Sequence, residues 1–180
     1  MIFTPTELPN AYIIEPERHE DTRGFFARSW CAREFQAQGL NPQLVQCSMS
    51  YNARRGTLRG MHYQDSPFQE AKLIRCTRGA IYDVIVDLRV GSESFTHYVG
   101  VELTANNRTM LYVPEGCAHG FMTLEDDTEV FYQMSQVFSP NHARGVRWDD
   151  PAFGIAWPNL QPIMIERDRT YPDFQPEGPA

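Results

Sequence analysis

The sequence predicts an all-β fold, an antiparallel jelly-roll barrel or sandwich with a few short helices. Three observations carry that expectation. Short apolar runs recur along the chain and are separated by turn residues rather than by helices. In the clearest run, residues 80–88, Ala80, Tyr82, Val84, Val86 and Leu88 share one parity while Asp83, Asp87 and the following Arg89 share the other. Finally, one segment alone has the length and ending of a helix, so the strand–helix alternation of a parallel sheet is missing.

In chain order, the first strand is expected over residues 12–14 and the second over 24–28, with Asp21 and Arg23 at the turn before it. Residues 30–38 form the helix, which Gly39 closes by supplying the left-handed residue a helix end favours. Strands follow over 44–50 and 57–64. Within 57–64, His62 and Gln64 share a face and Arg59 takes the other. If Arg59 and His62 serve one ligand, Gly60 must therefore mark a bulge or kink. Further strands cover 72–76, 80–88, 98–103, 110–113 and 129–134. The parity of Tyr132 extends to Phe138, where the nearby Pro140 suggests that the strand is ending. No strand is placed between residues 113 and 129, where a Pro114-x-Gly116 turn precedes His119.

Composition narrows the function classes. A chain of 180 residues, 42% hydrophobic and 22% charged, fits one domain with its own core over 1–180. A net charge of −7 with scattered basic residues gives no field for nucleic acid or a membrane surface. The four cysteines, Cys31, Cys47, Cys76 and Cys117, are too widely spaced for a metal knuckle or a disulfide scaffold and are expected as thiols. The opening residues lack the charged and apolar regions of a leader, and no run approaches a membrane span, so a cytoplasmic protein is expected. Of 16 basic residues 15 are arginine, and Lys72 is the only lysine.

Three segments carry chemistry-bearing residues: GTLRGMHYQ at 56–64, KLIRCTRGAIYDVIVDLR at 72–89 and YVPEGCAHGFMTLEDD at 112–127. The third resembles the second metal motif of cupins, with a Pro114-x-Gly116 turn delivering His119. The first motif would need a His-x-His pair and a glutamate, but here reads His62-Tyr63-Gln64, too few donors for a transition metal. No metal and no cofactor are expected. Taken one at a time, the residues have plainer readings: His62 a core or surface histidine, Tyr132 a barrel-filling aromatic, Asp168 a surface charge in Glu-Arg-Asp-Arg, and Arg23 a hairpin ion pair with Asp21.

Together, DTRGFF at 21–26, LRGMHYQ at 58–64, Lys72, PEGCAHGF at 114–121, the Tyr132 strand, RWDDPAFGIAWP at 147–158 and ERD at 166–168 resemble the dTDP-4-dehydrorhamnose 3,5-epimerase family. The resemblance implies a metal-free cupin-type barrel that epimerises a nucleoside-diphosphate 4-keto-6-deoxy sugar. It places the catalytic base at His62, its carboxylate at Asp168, the general acid at Tyr132 and enolate stabilisation at Lys72. Arg23, Arg59 and His119 fall where the family holds diphosphate and sugar, and Phe26, Gln46, Gln64, Phe138 and Arg167 complete the implied binding set. It also implies a homodimer that exchanges N-terminal strands, bringing Arg23 and Phe26 near the partner's His62. The residue types suit the chemistry. A proton alpha to a ketone needs an oriented imidazole, the developing oxyanion needs a fixed cation, and a phenol on the other sugar face can return the proton.

Departures from the family pattern gather at nucleotide recognition. Arg28 stands where the family has glutamate, Gln46-Cys47-Ser48 replaces Gln-Asp-Asn, Phe138 replaces tyrosine, Ala143 a glutamate and Arg167 a lysine. Arg28 either reads an acceptor-rich base such as cytosine or guanine or turns away to another partner. The alternatives are an epimerase acting at one carbon or on another nucleotide, a 3,4-ketoisomerase, a non-catalytic sugar-binding cupin and a metal-dependent oxygenase.

Overall fold

A computed structural model describes residues 1–176. Its strands are β1 (Ile2–Pro5), β2 (Tyr12–Glu15), β3 (Arg18–Asp21), β4 (Gly24–Ala27), β5 (Gln46–Asn52), β6 (Leu58–Gln64), β7 (Lys72–Arg78), β8 (Ala80–Asp87), β9 (Tyr98–Thr104), β10 (Met110–Val113), β11 (Cys117–Thr123), β12 (Thr128–Met134) and β13 (Ala143–Gly145). Two short helices, α1 (Ala32–Ala37) and α2 (Glu166–Arg169), complete the described elements. Every strand pairing between these elements is antiparallel. Six strands in the order β1-β2-β10-β7-β12-β5 form one sheet and five in the order β13-β6-β11-β8-β9 form the other, while β3 and β4 make a separate hairpin.

The two large sheets face each other because each has an apolar inner parity. Ile74 and Cys76 of β7, Leu111 and Val113 of β10 and Val130 of β12 meet Ile81 and Ile85 of β8, Leu103 of β9 and Phe121 of β11 in one core. The outer face of the six-stranded sheet is sealed by α1, whose Phe35 packs on Ile14, Leu73, Met110 and Tyr112. Burial of such a phenyl ring contributes roughly 1.5–3 kcal/mol. The chain after β13 covers the other sheet, laying Val146 and Phe153 on Met61, Val84, Val86 and Ala118. This is the cupin-type barrel, and its inner parity changes character along the strands: on β7 Lys72 precedes Ile74 and Cys76, and on β12 Tyr132 follows Val130.

The expected strands are present, with ends shifted by a few residues. The helix is shorter than residues 30–38. Its end is as expected: Gly39 has φ +73°, its N–H donates to Gln36 O, and Leu40 N–H donates back to Phe35 O. β11 is a correction, because residues 117–123 were not read as a strand. The strand lies between β6 and β8 with all seven residues buried, so it carries no alternation to read. β1, β3, β13 and α2 are also additions. All four cysteines are free thiols. No helix of the described residues is long and apolar enough to cross a membrane.

Candidate active site

A cavity of about 670 Å³ opens between the sheets, and His62, Lys72, Tyr132, Asp168, Arg59, His119, Gln46, Phe138 and Arg167 all line it. Arg59 and His62 reach it together because β6 is irregular. Its register against β11 shifts between His119 and Phe121. Gly60 has φ +136°, and a Cβ there would lie 2.5 Å from Gly120 Cα. Only glycine fits that crossing, so the expected bulge is present.

His62 Nε2 lies 2.9 Å from Asp168 Oδ1. Asp168 is 2% exposed, turned inward by α2 from a segment that reads as a solvated face. Burial pushes its carboxyl up, but the His62 hydrogen bond and charge, the Arg167 guanidinium at 3.2 Å and the Gly60 N–H at 3.4 Å outweigh that and hold it below the usual range. A carboxylate can only accept, so His62 Nε2 donates to it and the basic lone pair sits on Nδ1. Arg167 Nη2 comes within 3.3 Å of the same Nε2, which is already a donor, so its productive bond is the one from Nε to Asp168.

A second histidine–carboxylate pair stands beside the first. His119 on β11 is the Cα partner of His62 on β6, and its Nε2 lies 2.7 Å from Asp83 Oδ1 on β8. Asp83 is fully buried, its Oδ2 has no hydrogen-bond partner among the described residues, and burial raises its pKa against the opposing pull of His119. The Tyr132 ring stands nearly edge-on to His119 at 6.2 Å. Its hydroxyl lies 3.3 Å from Ser50 Oγ, and burial pushes the phenol well above its ordinary pKa, so it keeps its proton at neutral pH. Arg59 is anchored by donating from Nε to Asn52 Oδ1 at 2.7 Å. Lys72 pairs with Glu70.

Four of the expected binding residues sit elsewhere in the single chain. Arg23 and Phe26 lie on the hairpin, with side-chain exposure of 87% for Arg23, whose guanidinium is paired to Asp21, and residue exposure of 77% for Phe26. Arg28 follows the hairpin and pairs with Glu34 of α1, which also accepts from the Met1 amine at 2.6 Å. Gln64 is buried behind the cavity wall, with its amide committed to Phe68 O, Glu70, Val137 O and the Ser139 N–H. Gln46 and Phe138 are joined at the mouth, where Phe138 N–H donates to Gln46 Oε1 at 3.1 Å. Among the described residues no three histidine, cysteine, aspartate or glutamate side chains come together as a metal centre needs.

Sequence reasoning missed Asp83 and Glu70, the carboxylates that hold His119 and Lys72. A signal existed for each. Ile81 and Ile85 share the parity of Asp83, which marks that face of β8 as interior, and Glu70 shares the parity of Lys72 two residues on.

Comparison with known proteins bears on this arrangement. Residues 5–176 match the family model described as dTDP-4-dehydrorhamnose 3,5-epimerase. A dTDP-4-dehydrorhamnose 3,5-epimerase of Sinorhizobium fredii is 42% identical over 97% of this chain and 90% of its own. The dTDP-4-dehydrorhamnose 3,5-epimerase of Bacillus anthracis, solved with TDP and PPi bound, superposes with TM-score 0.91 at 40% identity, over 96% of this chain and 99% of that one. The corresponding epimerase of Elizabethkingia anophelis gives TM-score 0.93 at 37% identity, over 97% and 96%.

Proposed function

The chain belongs to the dTDP-4-dehydrorhamnose 3,5-epimerase family, and from that premise we propose that it converts dTDP-4-dehydro-6-deoxy-D-glucose to dTDP-4-dehydro-L-rhamnose by inverting C3 and C5. The observation that carries the reading is the meeting of an oriented imidazole, a buried phenol and a lone ammonium in one cavity. Its volume of about 670 Å³ is in the range of small-molecule sites.

The steps balance without a cofactor. Nδ1 of His62 takes the proton from a carbon next to the C4 ketone, and the C–H electron pair moves into the ring as the carbonyl becomes an enolate. Lys72 donates to that oxygen, where charge develops away from bulk water. Asp168, ionised, stabilises the imidazolium and fixes its tautomer. Tyr132 then delivers its hydroxyl proton to the carbon from the opposite face, and collapse of the enolate restores the ketone with the centre inverted. Imidazolium and phenolate exchange protons with water before the second centre reacts. Arg59 and Arg167 supply donors for the sugar and diphosphate, His119 lines the same cavity with its Nε2 committed to Asp83, and Phe138 offers a ring for the thymine.

The protein works as a homodimer in which the β3–β4 hairpin crosses to the neighbouring subunit and completes its site with Arg23 and Phe26. Two features support this: Phe26 is almost fully presented to solvent, and β5 ends its sheet with Met49 and Tyr51 exposed. Arg28, held by Glu34, takes no part in reading the base, which agrees with a dTDP sugar.

Incubation with dTDP-4-dehydro-6-deoxy-D-glucose in deuterated water, followed by NMR, tests the function. Deuterium at both C3 and C5 is expected, in a product of L configuration. Label at one carbon only, or none, overturns it.

A further inference from the structure

We propose that Glu70 is a positioning residue for the epimerisation, aiming the Lys72 ammonium at the ketone oxygen. The inference rests on the epimerase reading of the site. An ammonium carries three N–H donors, and at Lys72 one is taken by the backbone carbonyl of His62 at 3.3 Å, while the charge is paired with Glu70 Oε1 at 3.1 Å. The ammonium is left with donor capacity for the cavity that both side chains line. A hydrogen bond on one side and a paired carboxylate on the other fix where the charge sits, which a flexible four-carbon stem could not do alone.

Glu70 is itself held from behind. Its Oε2 lies 3.3 Å from Gln64 Nε2, whose two N–H groups are shared among this carboxylate, Phe68 O at 2.9 Å and Val137 O at 3.2 Å, while Gln64 Oε1 accepts from Ser139 N–H at 2.5 Å. The chain Gln64, Glu70, Lys72 therefore ties the ammonium to β6 and to the 137–139 segment that carries Phe138. Gln64 acts on the reaction through this chain rather than by touching the substrate. Side-chain exposures of 11% for Lys72 and 10% for Glu70 leave little water to replace either partner. Removing the carboxylate would strand a buried cation, which would relax towards other acceptors and leave the oxyanion position.

The position also gives a reason for lysine in a chain whose other basic residues are all arginine. A planar guanidinium would engage Glu70 side-on and point its remaining donors along its own plane. A compact ammonium can sit between two protein oxygens and still offer a donor out of their line.

The test uses the full chain and the dTDP 4-keto sugar. Glu70→Gln should lower kcat roughly 10-fold to 100-fold, as misplacing a charge-stabilising donor does, while KM and the Kd for dTDP stay within about threefold of wild type. Solvent deuterium wash-in should slow in step with turnover, because enolate formation is the step affected. In the Lys72→Ala background, adding Glu70→Gln should cost nothing further. Glu70→Asp, which keeps the charge on a shorter stem, should fall between wild type and Glu70→Gln, and it carries the test if Glu70→Gln does not fold. Turnover of the variants equal to wild type, a loss confined to KM, or additive losses in the double variant would overturn the proposal while leaving the epimerase reading intact. Wild-type protein that neither exchanges nor epimerises the sugar would overturn both.

Discussion

At Asp168, burial and hydrogen bonding pull in opposite directions, and hydrogen bonding wins. The consequence has a definite sign. A carboxyl whose folded pKa is depressed contributes stability that is fully present above its unfolded value, about 3.9, and is lost as pH falls through the folded value. The melting-temperature advantage of wild type over Asp168→Asn should thus be constant near neutrality and close below about pH 4, measured by calorimetry. An advantage that grew on acidification would contradict the assignment. The phenol gives a second expectation: Tyr132→Phe should keep taking deuterium from solvent into the substrate while losing inverted product at least about 100-fold, read by NMR against chromatography. Equal loss of both would place Tyr132 in the first step instead. Little of this was legible residue by residue. His62 and Asp168 lie 106 positions apart, and Asp168 sits among charges that look solvated. The resemblance alone proposed the pair, and Asp83 was missed because its one local mark, the parity shared with Ile81 and Ile85, shows that it faces inward but not which residue it holds.

Strands were legible where branched and aromatic apolar residues dominate the run, as in β8 and β12, and illegible where small residues break it. β11 is the instructive case, with Ala118 packed outward under Val146 and Phe153 while Phe121 packs inward. Its small residues, which read as loop chemistry, are there because β6 crosses close. The bulge in β6 was deducible, since two residues of opposite parity were asked to serve one ligand. Gly60→Ala should therefore cost about 2–4 kcal/mol, because the new Cβ meets backbone rather than a movable side chain. The denaturant midpoint should drop accordingly, and the survivors should lose activity more than Gly24→Ala does, where nothing lies within 4 Å. A neutral Gly60→Ala would mean that the β6–β11 crossing is looser than described.

For the whole molecule, the exposed hairpin makes a prediction about subunits. On the proposed strand exchange, His62→Asn and Phe26→Asp dimers should each be nearly inactive, yet subunits mixed by reversible unfolding should recover about a quarter of wild-type turnover. Half the dimers are then mixed, and in each of these one site combines an intact His62 with an intact hairpin. No recovery would place Phe26 in its own chain's site or outside any site. The overall barrel was readable from alternation and turn punctuation, whereas a destination for the hairpin came from the resemblance alone, because an exposed ring by itself gives no hint of the surface it would meet. The solitary lysine has a practical consequence. Reductive methylation with a ¹³C-labelled reagent can mark just one side-chain amine in this sequence, that of Lys72. The ε-methyl signal would then be a native reporter inside the cavity, able to follow nucleotide arrival and departure in real time without any engineered probe.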